Sequence, residues 1–110
     1  MTVQEFATHA DLRIAVGGDH LDREITGGYC GDLLSWVMGR AEADQAWMTV
    51  IGNVNAIAVA VLADIACIVL CEDAVLDDEA REKAIAQQVP VLTTGAPVYE
   101  VAKKLAGALS

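Results

Sequence analysis

Basic residues are scarce in this sequence. Seven Lys and Arg stand against 16 Asp and Glu, for a formal net charge of −9. A surface of that sign repels phosphate backbones. Nucleic acid is therefore excluded as an expected partner, and anionic membrane surfaces for the same reason. Aromatic residues are few as well, 5% of the chain, although hydrophobic residues reach 55%. The core of these 110 residues must be aliphatic and alanine-rich, and the length fits one domain, residues 1–110. A membrane helix needs about 20 consecutive apolar residues. Asn55 and Asp64 interrupt the most apolar region, residues 54–71, so no membrane span is expected. The first residues lack a basic segment followed by an apolar run, and no secretory leader is expected. Cys30, Cys67 and Cys71 are an odd set without secretory context. That predicts reduced thiols and a cytoplasmic location.

Catalytic patterns are missing too. Nothing matches G-x-x-x-x-G-K-[ST], so direct ATP-driven phosphoryl transfer has no visible apparatus. No Ser-His-Asp or Cys-His arrangement is legible from spacing. Asp19, His20 and Asp22 do not have a metal-ligand spacing and read as a solvated loop. Cys67 and Cys71 lie four residues apart in an apolar strand, about 13 Å along it, too far for a disulfide or one metal ion. They read as small core residues. The expectation is a chain that is not an enzyme, with no catalytic residue, no metal and no cofactor.

What is present is a regular alternation. Thr2 and Glu5 form a capping box ahead of Val3, Phe6, Ala7 and Ala10, which have helical spacing. Residues 12–16 alternate as a strand, and Gly17-Gly18-Asp19 breaks it. Residues 46–51 read as a buried strand. Asn53 or Asn55 caps a helix to about residue 63, with almost no polar face and so packed on most sides. Residues 65–71 are a β-branched apolar run, as in a central parallel strand. Asp77, Asp78 and Glu79 open a helix to about residue 88. Residues 89–94 form a short strand. Pro97 starts a last helix whose Val98, Val101, Ala102, Leu105, Ala106 and Leu109 share a face. The order predicts an α/β fold, a single compact domain with a largely parallel sheet flanked by helices.

The stretch from Asp22 to Met38 organises the rest. A Gly-Gly pair, Gly27-Gly28, invites a turn with positive φ. Asp32 is placed to cap a helix with Leu33, Leu34, Val37 and Met38 on one face, ended by Gly39. A turn of glycine N–H groups beside a helix start can attract an anion. Candidate ligand-binding residues are Thr26, Gly27, Gly28, Asp32 and Ser35. Cys30, beside the turn and near a helix N-terminus, is a candidate reactive thiol. Trp36 and Met38 add large apolar groups and are candidate interface residues.

The same stretch resembles the DRTGG domain family. The signature reads Asp22-Arg23-Glu24-Ile25-Thr26-Gly27-Gly28, an extended form with Glu24 and Ile25 ahead of Thr26. The resemblance continues through Asp32-Leu33-Leu34-Ser35 and residues 55–60 into the final strand-helix pair. Asn53 departs from it, standing where a His is expected in many relatives. The resemblance implies a fold similar to the N-terminal domains of HPr kinase/phosphorylase and of Mur ligases. It also implies a regulatory or dimerising module without established catalysis. Three functions compete. The first is a non-catalytic regulatory and interaction module that self-associates as a homodimer and modulates an unknown protein partner. The second is a small-anion or nucleotide sensor using the Gly27-Gly28 turn and the helix start at Asp32. The third is an enzyme using Cys30 or Ser35.

Overall fold

A computed structural model describes residues 1–110. The elements follow in the order α1 (Val3–His9), β1 (Arg13–Val16), β2 (Gly27–Cys30), α2 (Leu34–Arg40), β3 (Gln45–Thr49), α3 (Val54–Ala63), β4 (Cys67–Leu70), α4 (Asp78–Gln87), β5 (Val91–Thr93) and α5 (Val98–Leu109). Five strands form one sheet in the order β1-β5-β4-β3-β2. β2 through β5 are parallel, and β1 runs antiparallel to β5. This is a compact single-domain α/β fold.

Local chemistry sets most helix starts. The Thr2 side chain accepts from the Glu5 N–H, and the Glu5 carboxylate accepts from the Thr2 N–H. Asn53 caps α3 through the Ala56 N–H, and Asp77 caps α4 through the Ala80 N–H. Pro97 precedes α5. α3 and α4 each end on a left-handed residue, Asp64 and Gln88.

The pleat of the sheet sorts the core into two layers. Ala46, Met48, Cys67, Val69 and Cys71 face one side with α1 and α5. Trp47, Ile68 and Leu70 face the other with α2, α3 and α4. All four residues of β4, the central strand, are buried. Burying each Val, Leu or Ile side chain stabilises the fold by about 1.5–3 kcal/mol. Trp47 is fully buried, and its indole N–H donates to the Gly31 carbonyl at 2.9 Å. No buried side-chain N or O lacks a partner.

Three expectations fail, each at a helix or turn where tertiary contacts override the local signal. Gly27 and Gly28 lie within β2, and neither has positive φ. Pairing with β3 holds both glycines extended. α2 begins at Leu34 after Leu33, with no side-chain cap, and runs past Gly39 to Arg40. Of its expected inward face only Val37 is fully buried, because one short helix covers little of the sheet edge. α3 buries Ala56, Ile57, Val59 and Ala60 but leaves Val61 and Leu62 exposed, since it has sheet on one side and solvent on the other.

Candidate functional site

The signature stretch divides into an anchor and an edge strand. Arg23 is the anchor. Its Nε donates to Asp44 at 2.9 Å, and its Nη2 donates to the Asp64 carbonyl at 2.6 Å and the Asp64 carboxylate at 3.0 Å. Nη1 reaches the Ile65 carbonyl at 3.3 Å. Asp44 and Asp64 stand just ahead of β3 and β4, and both have positive φ. The planar guanidinium thus ties three chain segments together at the amino end of the sheet. Sequence reasoning missed this role, because the partners lie 21 to 42 residues away.

Gly28 provides closeness rather than a turn. A Cβ there would stand 2.9 Å from Leu105 Cδ2 and 3.0 Å from Met48 Cε. The glycine lets α5 settle against β2. At Gly27 the nearest atom is Gln45 Nε2, 3.6 Å away. An apolar trough of about 300 Å³ runs between β2 and α5, lined by Gly28, Met48, Ala102, Leu105, Ala106 and Leu109 among others.

Asp32 is also not a helix cap. Its carboxylate accepts from the buried Thr49 hydroxyl at 2.7 Å and from the Val50 N–H at 3.0 Å. It therefore joins the carboxyl ends of β2 and β3. Ser35 is exposed on α2. Thr26 precedes β2, Gly27 and Gly28 open it, and Asp32 and Ser35 lie beyond its far end, the strand being about 13 Å long. The extended strand does not assemble the five into one cradle.

Cys30 is exposed at the end of β2, and its thiol is pushed above the ordinary range by partial desolvation and then by the Asp32 carboxylate. That is the reverse of an activated thiolate. Burial pushes Cys67 up to about 12 and Cys71 up to about 11, as for inert core thiols. No three His, Cys, Asp or Glu side chains come together to hold a metal ion. No helix is long and apolar enough to cross a membrane.

Two further surfaces stand out. At the carboxyl end of β5, an open polar cleft of about 730 Å³ is lined by Asp11, Arg13, Asp73, Thr93 and Thr94 among others. Asp11 and Asp73 there have φ of 56° and 58°. On α2, Trp36 and Met38 are each about half exposed, at 52% and 49%, and the Arg40 guanidinium lies 3.7 Å over the Trp36 ring.

Neither a family model nor a curated protein matches this sequence. A solved structure does match in shape. It is the crystal structure of the CBS and DRTGG domains of the regulatory region of Clostridium perfringens pyrophosphatase, complexed with the activator diadenosine tetraphosphate. The TM-score is 0.70 at 7% identity, over 94% of this chain and 45% of that one. The fold is DRTGG-like. This chain spans less than half of the matched structure. At that identity the likeness is one of fold, and it agrees with the signature at Asp22 to Gly28.

Proposed function

We propose that this chain is a non-catalytic regulatory and interaction module that self-associates and modulates a partner protein. The observation that carries the reading is the fold likeness to a regulatory region over 94% of the chain. The signature residues support it. Arg23 and Gly28 are consumed in holding segments together, not in presenting reactive groups. Trp36 and Met38 are the proposed contact residues, exposed on the outermost helix of their face. A net charge of −9 weighs against nucleic acid as the partner. Three free thiols suit a reducing compartment, and a cytoplasmic location belongs to the proposal.

One observation favours the sensor as a second reading: the pyrophosphatase regulatory region is complexed with a nucleotide activator. Here the glycine pair is extended and Asp32 is engaged with Thr49, so the phosphate cradle that motivated a site at residues 26–35 is not built. Saturable thermal stabilisation by diadenosine tetraphosphate would raise this reading over the first. Light scattering coupled to size exclusion tests the first. A dimer mass at micromolar concentration is expected. A single-subunit mass across about a hundredfold range of concentration removes self-association from the reading.

A further inference from the structure

The two edges of the sheet are treated differently. β1 is guarded: its ladder with β5 is irregular between Ile14 and Val16, and the Arg81 guanidinium donates to the Ala15 carbonyl at 3.1 Å. A bulge and a capped carbonyl are both devices that stop a strand from adding. β2 has neither. Its sequence is Gly-Gly-Tyr-Cys, with no proline, charge or bulge, and β3 is its only strand partner. The Gly31 N–H donates to the Met48 carbonyl at 3.3 Å, which fixes the phase of the parallel ladder. Gly27 and Tyr29 then face β3, and the N–H and C=O groups of Gly28 and Cys30 face outward.

We propose that β2 is the self-association surface, and that its occupant is β2 of a second copy, antiparallel across a two-fold axis at Tyr29. This deepens the reading above and rests on its self-association. The edge is complementary to itself. With the axis at Tyr29, Gly28 of each copy lies opposite Cys30 of the other, and each such pair exchanges both of its outward main-chain hydrogen bonds. The Cys30 side chain points to the α5 face, beside a partner glycine that has no Cβ to obstruct it. The trough next to that glycine is apolar, and no residue lining it is charged. α2 and α5, the helices flanking β2, carry Arg40, Lys103 and Lys104 against one acid, Glu100. The two helices beside this edge thus add no net negative charge where two chains of charge −9 would meet. Strand pairing alone falls short of the roughly 800 Å² per partner of a standard interface. The apolar trough beside Gly28 and Cys30, at the same edge, supplies further area.

Two substitutions test this on the full chain. Cys30→Pro removes an outward N–H without touching the ladder to β3. Ala106→Glu puts a carboxylate in the exposed part of the trough and suits a helix. Both are expected to keep the wild-type circular dichroism and to weaken the dimer by about tenfold or more in sedimentation equilibrium. The amides of Gly28 and Cys30 are expected to exchange hydrogen more slowly as protein concentration rises. If Cys30→Pro fails to fold, Ala106→Glu and the exchange measurement decide. A dimer that survives Ala106→Glu, with exchange at Gly28 and Cys30 independent of concentration, overturns the β2 surface while leaving self-association standing. A wild-type monomer throughout overturns both.

Discussion

Gly28 and Gly27 are adjacent in β2, yet valine should act on them very differently. At Gly28 the new Cβ would meet Leu105 Cδ2 at 2.9 Å and Met48 Cε at 3.0 Å. Both atoms are the ends of flexible side chains, buried at 2% and 1% exposure, and they must shift toward the trough that they line. The two γ-methyls add to the conflict. Overpacking of this kind costs about 1–3 kcal/mol. Losing glycine's freedom in the unfolded chain returns about 0.4–1 kcal/mol. The net destabilisation is about 1–2 kcal/mol, which lowers the melting temperature of a domain this size by about 5–10 °C. At Gly27 the closest atom is 3.6 Å away, an ordinary contact, and φ is not positive. Gly27→Val should stay within about 0.5 kcal/mol of wild type or gain slightly. Thermal melts followed by circular dichroism read both. Leu105→Ala in the Gly28→Val background should recover part of the loss, with a coupling of about 1 kcal/mol. Equal melting points for the two valine variants, or no coupling to Leu105, would refute the close-approach account of the signature glycine.

Three more outcomes are expected. Arg23→Met should cost about 1–3 kcal/mol in urea denaturation, and Arg23→Lys should not restore it, because one ammonium cannot reach Asp44, Asp64 and the Ile65 carbonyl together. Asp32→Ala removes the acceptor of the buried Thr49 hydroxyl and of the Val50 N–H and should cost about 1–3 kcal/mol, whereas Asp32→Asn keeps an acceptor and should melt near wild type. The Thr2 backbone N–H, and then its hydroxyl, hold the Glu5 carboxyl below the usual range. Its contribution is therefore present above the ordinary carboxyl pKa and lost as pH falls through the lowered one. Glu5→Gln should flatten that part of the acid limb in melts between about pH 3 and 6.

What could be read from sequence and what could not divide by distance along the chain. The caps at Thr2, Asn53 and Asp77 bond to N–H groups three residues on, so a window of a few residues contains the whole interaction. The apolar run of β4 is likewise its own evidence, since a strand buried on both faces needs apolar residues throughout. The signature stretch has no such local closure. Glycine is permissive, so Gly27-Gly28 fits a turn as well as a strand. The choice between them is made by Gln45 and Ala46 across the ladder and by Leu105, some 77 positions later. Asp32 is a good cap by type, but Thr49 and Val50, 17 and 18 residues on, offer it stronger company. Arg23 looks like one of several exposed charges until β3 and β4 bring their leading turns beside it. The same distance argument bears on function. Signature residues whose partners all lie within the chain report how the domain is held together. Contact with a partner must be sought where groups are left over: the outward amides of Gly28 and Cys30, the trough along α5, and the half-exposed Trp36 and Met38.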